Sequence, residues 1–279
     1  MITGLDHVAL VVRDLGAAVD GYRRLLGVSP EWEAADGGAR HAWFQFPNMA
    51  LDVISPAGEG AFGDRMRAHL DNHGEGIWAL AFTAAELEVF AGLMARRGVG
   101  ATAPSLTRST RADGAKRYWQ SSTLTAADTG GLQILLIAPP RDGPFPLSPR
   151  TGEGAIRALD HVVVQSPSAQ AALSLYGAKL GLDLRLDRTF VERGHRLLFF
   201  KAGEAVIEIG APLVDVAGAD RFGGLAWRVA DPHAARARIA AAGFDVSEVR
   251  SGRKPGTHVF TVRDAPAGVP TILLSAEEG

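Results

Sequence analysis

The chain of 279 residues contains no cysteine. That excludes disulfides, thiolate metal ligands and a cysteine nucleophile. No apolar run approaches the roughly 18 residues that a membrane helix needs, so no membrane partner is expected. Neither charge dominates. Lys+Arg total 29 against 31 Asp+Glu, and the net charge of -2 reads against a general nucleic-acid binder. The opening MITGLDHVALVVRD has no basic segment ahead of its apolar run, which reads against a secretion signal; a cytoplasmic protein is the expectation. Also missing are a Walker-type glycine loop, a GxSxG elbow and an HExxH pair. What remains is ordinary globular usage, 47% hydrophobic and 22% charged, in a length that suits two domains.

The chain repeats itself. Leu5-Asp6-His7-Val8 recurs 154 residues later as Leu159-Asp160-His161-Val162, as 161 minus 7 shows. At the same offset Tyr22 meets Tyr176, Leu26 meets Leu180 and Gly27 meets Gly181. His41–Phe46 likewise matches His195–Phe200. After a two-residue insertion, Leu51-Asp52-Val53 aligns with Ile207-Glu208-Ile209. Ile134-Leu135-Leu136 later meets Ile272-Leu273-Leu274. Such self-similarity marks a tandem duplication. Residues 139–157 hold five of the 15 prolines and read as a semi-rigid linker between domains 1–138 and 158–279.

Each half divides again. His7–Val12 is a β-branched run, hence a strand. Asp14 can cap a helix whose apolar stripe is Leu15, Val19, Tyr22 and Leu26, stopped by Gly27. Strands follow near 40–46 and 50–55. The order restarts with a strand at 77–83, a helix at 85–97 and strands near 117–124 and 132–137. The second half repeats this, with Asp231-Pro232 opening its second helix. The pattern predicts an α+β fold of four βαβββ units, at 2–56, 76–138, 158–212 and 223–275, forming two cupped mixed sheets with helices outside.

Four such units, opened by LDHVALVVRDLGAAVDGYRRLLG, resemble the vicinal oxygen chelate superfamily, which includes glyoxalase I, methylmalonyl-CoA epimerase, extradiol dioxygenases and bleomycin-resistance proteins. The resemblance implies that paired units cup a site, with ligands from the first and last strand of each unit. Those positions are His7 and Asp52 in the first unit and His161 and Glu208 in the third. It implies a divalent metal there (Zn, Fe, Mn, Ni or Mg) or the loss of one. Strand alternation places each carboxylate opposite its apolar neighbours. A carboxylate in an apolar strand is costly unless paired with a cation or hydrogen-bonded; bonding to His7 and His161 without metal is the alternative.

The other units depart from the pattern. Their positions fall at Ala79 and Leu135, and at Gly224 and Leu273, none of which binds metal. That counts against a ring-cleaving dioxygenase. His258 is a candidate third ligand if it faces the second cup, completing two imidazoles and a carboxylate with His161 and Glu208. His41 and His195 read as rim or packing residues, and His69, His73 and His233 as solvated ones. Basic loops at Arg108, Arg111, Lys116 and Arg117, and at Arg250, Arg253 and Lys254, suit either solvated hairpins or an anionic group on a substrate. Trp78, Trp119 and Trp227 suit core packing or an apolar cup wall.

These features lead to a small-molecule enzyme of the vicinal oxygen chelate type. Its chemistry would be metal-assisted isomerisation, epimerisation or lyase chemistry on neighbouring oxygens, with Glu208 or Asp52 as ligand or base. The alternative is a protein that sequesters a drug or metabolite with degenerate metal sites. The C-terminal cup is the stronger candidate, and a homodimer is left open.

Overall fold

The computed structural model describes residues 1–140, 142–252 and 255–275. The first half forms one sheet from β1 (Ile2–Val11), β2 (Trp32–Asp36), β3 (Ala39–Gln45), β4 (Ala50–Pro56), β5 (Gly76–Ala84), β6 (Ser105–Thr110), β7 (Lys116–Thr123) and β8 (Gln133–Ile137). Its order is β2-β3-β4-β1-β5-β8-β7-β6. The second half repeats that order with β9 (Ile156–Gln165), β10 (Asp183–Phe190), β11 (His195–Ala202), β12 (Ala205–Pro212), β13 (Arg221–Val229), β14 (Arg250–Ser251), β15 (His258–Val262) and β16 (Thr271–Ser275). Each unit pairs its first and last strands in parallel, and two units meet antiparallel at β1/β5 or β9/β13. Consecutive units therefore build each cup.

The helices follow their local signals. α1 (Leu15–Leu26) starts where the Asp14 carboxylate accepts from the Ala17 N–H, and it ends at Gly27, whose φ of 74° favours glycine. α3 (Leu87–Arg96) and α5 (Pro232–Ala241) complete the second and fourth units. The counterpart of α1 is α4 (Ala169–Ala172), which continues as π-helical turns over Leu173–Lys179. These helices cover the convex faces. Leu5, Val8 and Leu10 of β1, Tyr22 of α1, Tyr176 of the π turns and Trp227 of β13 join one continuous core spanning both halves. Across the junction Tyr22 donates to the Pro266 carbonyl at 3.2 Å, and Arg238 donates to that of Leu25 at 2.8 Å.

Three features depart from the sequence expectations. The connector between the first two units contains a helix, α2 (Ala61–His73). Its Met66 and Leu70 pack with Ala9, Val11, Ile54 and Ala79 on the concave face of the first sheet. The Pro-rich segment is not a free span. Phe145 packs with Trp32, Trp43 and Ala50 in the same cup, the Ser148 N–H donates to Glu31 at 3.2 Å, and Ile156 and Arg157 already belong to β9. Lastly, Leu273 lies in the core, so the cup-facing residues of β16 are Ile272 and Leu274.

Candidate functional site

A β-bulge shapes both cups. In β1, Leu5 pairs with Phe82 and His7 with Ala81, which leaves Asp6 as the extra residue. In β9, Leu159 pairs with Trp227 and His161 with Ala226, leaving Asp160 extra. A bulge re-aims the side chains beside it. Leu5 and Val8 can therefore both enter the core while His7 turns to the cup with Asp6 beside it. The result is the same in each half. His7 Nδ1 lies 2.7 Å from Asp6 Oδ1, and His161 Nδ1 lies 2.8 Å from Asp160 Oδ1. These two aspartates stood in the repeated tetrapeptide, but only the bulge gives them a role.

The cups then diverge. His7 and Asp52 share the concave face, because His7 pairs with Ala50 and Ala9 with Asp52 in the parallel ladder. They do not bond to each other, so the metal-free alternative of a His7–Asp52 hydrogen bond does not hold in this cup. Asp52 accepts from His41 Nδ1 at 2.9 Å instead, and the Phe62 ring of α2 stacks on His41. Burial works against a charged His41 ring. The charge and hydrogen bond of Asp52, with a smaller contribution from Asp36, outweigh it and hold the His41 pKa above the usual imidazole value. With α2 over one end and Phe145 over the other, this cup keeps a cavity of about 240 Å³ beside His7.

The C-terminal cup is open. A cleft of about 1290 Å³ runs from Glu208, Gln165 and His195 to His69, His73 and Trp78 of the first half. His161 Nε2 lies 3.2 Å from Glu208 Oε2. With Nδ1 donating to Asp160, that contact needs one proton shared between imidazole and carboxylate. Arg228 Nε stands 3.4 Å from the other Asp160 oxygen, so the row runs Arg228, Asp160, His161, Glu208. The Phe199 ring meets His161 edge-on. Gln165 lies across Gly210, where an added Cβ would come within 3.2 Å of its amide oxygen. Asp220, also in the cleft, is a carboxyl the sequence did not single out. Burial pushes its pKa up, against a hydrogen bond from Ser166.

The remaining candidates sit elsewhere. His258 shares the strand face of the buried Phe260 and Val262, and its ring lies 6.4 Å from His233 of α5. It belongs to the helix-covered side, so the expected third position at the cup is not filled. His69 is not simply solvated: burial, with His73 beside it, lowers its pKa. Trp227 is core, whereas Trp78 and Trp119 lie on the concave side of the first sheet. Arg108 pairs with Asp36 at 3.2 Å, Arg111 with Asp113, and Arg117 donates to the Gly143 carbonyl. Arg250 is exposed, and Arg253 and Lys254 lie outside the described residues.

A family model described as the Glyoxalase/Bleomycin resistance protein/Dioxygenase superfamily matches residues 6–118 and 160–261. The chain belongs to that superfamily. An ethylmalonyl-CoA/methylmalonyl-CoA epimerase from Cereibacter sphaeroides is 38% identical over 63 residues, 22% of this chain and 47% of that protein. The chain thus matches about half the length of that curated relative. Two solved structures share the fold at low identity. A mutant of 4-hydroxymandelate synthase from Streptomyces coelicolor superposes with a TM-score of 0.73 at 17% identity, covering 99% of this chain and 94% of the other. A Mn(II)-bound glyoxalase from Novosphingobium aromaticivorans gives 0.67 at 15%, covering 98% and 82%.

The donors of this superfamily member do not fit a resident transition metal. Catalytic sites for such ions hold about three protein ligands. Here His161 and Glu208 are two, and no group of three His, Cys, Asp or Glu able to hold an ion occurs among the described residues. Gly224, at a position where the family resemblance expects a ligand, has φ 150°, and a Cβ there would sit 2.3 Å from the Pro270 carbonyl oxygen. The backbone itself closes that position to a side chain. No helix among the described residues is long and apolar enough to cross a membrane.

Proposed function

We propose that the C-terminal cup carries out proton transfer next to a carbonyl on a small molecule, in an isomerase, epimerase or lyase type of reaction. The observation that carries this reading is the Glu208–His161 contact at 3.2 Å, with Asp160 behind the imidazole, at the end of an open cleft. Glu208 takes the proton from the carbon beside the carbonyl. The electron pair moves onto the carbonyl oxygen, giving an enolate. The proton then returns to that carbon or to its neighbour. Asp160 fixes the imidazole and holds the Nδ1 proton, so that Nε2 exchanges the shared proton with Glu208. Superfamily membership and the segment shared with an epimerase support an acidic C–H as the reacting centre.

The test is solvent exchange in deuterium oxide on a panel of 2-substituted acyl thioesters, CoA esters included. Deuterium should enter the carbon next to the thioester. Glu208→Gln should slow entry by about 100-fold or more, while Asp52→Asn leaves it near wild type. Equal slowing by Asp52→Asn would move the chemistry to the other cup. A second reading, sequestration without turnover, draws on the two-donor site. Ligand-induced thermal stabilisation without exchange on any substrate would favour it.

A further inference from the structure

We infer that Gln165 is a further catalytic residue of the C-terminal cup: its carboxamide donates to the substrate carbonyl oxygen while Glu208 takes the proton from the adjacent carbon. The inference rests on the proton-transfer reading of that cup and adds the group that holds the oxygen. The ligand positions there do not complete a metal site, so the negative charge that builds on the oxygen needs another partner. A preorganised N–H donor is one.

The two cups differ at three matched positions. In the first, Val11 pairs with Ile54, Trp78 is the extra residue where β5 shifts register, and all three pack with Met66 and Leu70 of α2. In the second, Gln165 pairs with Gly210, and Gly223 is the extra residue of β13. The segment 213–220 between β12 and β13 holds no helix to cover them. An apolar patch under a helix is thus matched by a carboxamide on two glycines, at an open cleft that Gln165 and Gly210 line. The glycines make its room. A Cβ at Gly210 would stand 3.2 Å from Gln165 Oε1, and one at Gly223 would stand 3.4 Å from Nε2. Neither glycine has a left-handed φ, so what they supply is the missing side chain and not a turn. Glycine inside a strand weakens it and often marks where a ligand approaches closely.

The spacing fits the reaction. His161, Val163 and Gln165 alternate onto one face of β9. Glu208 and Gly210 stand two residues apart on β12, a step of about 7 Å, and Gln165 lies across Gly210. An acidic C–H with its carbonyl fills that gap, the carbon at Glu208 and the oxygen at the carboxamide. The carboxamide makes no hydrogen bond among the described residues, so its N–H₂ end is free to turn to the oxygen. Arg221 faces Gln165 across the β9/β13 ladder and also lines the cleft, but it stands one strand further from Glu208.

The experiment uses two probes on the full chain: S-(2-methylbutanoyl)-N-acetylcysteamine and the matching thioether, with a methylene in place of the carbonyl. Binding is measured by calorimetry, and exchange in deuterium oxide is followed on the thioester. Wild type should bind the thioester about tenfold tighter than the thioether. Gln165→Glu keeps the shape but turns the donor into an acceptor. It should abolish that preference and slow exchange by about 100-fold or more, with thioether affinity and melting temperature unchanged. Gly210→Ile copies the first cup and displaces the amide, so it should also remove the preference. Arg221→Met should keep it. A preference retained in Gln165→Glu or Gly210→Ile, no preference or no binding in wild type, or a loss in Arg221→Met would each overturn the assignment. Exchange slowed by Glu208→Gln but not by Gln165→Glu would overturn it too, and leave the proton-transfer reading standing. Absent exchange in wild type, with a carbonyl preference that Gln165→Glu removes, would sink that reading and keep Gln165 as the seat of the carbonyl.

Discussion

His41 and Asp52 form a buried ion pair whose pH dependence has a definite sign. The folded protein holds the His41 pKa above its unfolded value of about 6.5. The stabilisation is therefore fully present below that value and is lost as pH rises through the higher folded one. Thermal melts between about pH 6 and 9 should show a decline that His41→Asn flattens; parallel slopes would mean that another group titrates. Metal removal gives a second expectation. With two donors at the C-terminal cup and Gly224 closed to a side chain, prolonged dialysis against chelator should leave the melting temperature unchanged. A fall of several degrees would show a ligand set beyond these residues. The family resemblance pointed to His7 and His161, and alternation along β4 and β12 made Asp52 and Glu208 legible as facing the same side. Glu208 beside His161 was one of the alternatives read from sequence, but the other partners were not legible, because Asp52 reaches His41 across a strand and Asp160 reaches His161 only through a bulge.

At the scale of elements, α2 decides which cup stays open. The stripe Phe62, Met66 and Leu70 has a spacing of four and was readable as a helix face. What it covers was not readable, because a connector helix carries no mark of the sheet face it will meet. Met66 is fully buried against the concave sheet. Met66→Ala should cost about 2–5 kcal/mol of stability, measured by urea denaturation. Proton exchange at the C-terminal cup should survive at temperatures where the variant is folded. A cost near zero would mean that α2 rests loosely on the sheet. His258 failed as a ligand for a related reason: its alignment position was sound, but the buried Phe260 and Val262 on its own face fix that side to the helices.

The whole molecule carries two sheets on one continuous core. Such a core couples the halves more tightly than an ordinary interdomain contact, where independent motion is the default. Heating should give a single transition whose calorimetric and van't Hoff enthalpies agree. Two resolved transitions would contradict the shared core. Arg238 joins the halves at one point, donating to the carbonyls of Gly154 at 3.1 Å, Arg24 at 3.2 Å and Leu25 at 2.8 Å. Arg238→Ala removes three charged donors from carbonyls at the half-buried junction. It should cost about 1–3 kcal/mol and, if the junction weakens enough, begin to split the transition. Four units and their duplication were plain from the repeated tetrapeptide and glycine stops. The fusion of two helix-covered faces was hidden, since apolar stripes on α1 and α5 look alike whether they cover one sheet or two.

The bulge in β1 and β9 works like a frame shift written into a strand. From His7 to Val11 the in–out reading is regular, and it is out of phase by one residue with Gly4 and Leu5 before Asp6; a further shift falls between Ile2 and Gly4. The side chain of Asp6 or Asp160 can be exchanged and the phase survives, because the phase depends on a count and not on chemistry. Deleting the residue removes the extra count. Leu5 and Val8 would then stand two apart on one face of a regular strand, with His7 between them on the other. What would go is the carboxylate beside the imidazole, so the extra residue adds an acid next to His7 while the core residues keep their face. That extra residue is kept in both halves, even though one cup has been filled and the other left open.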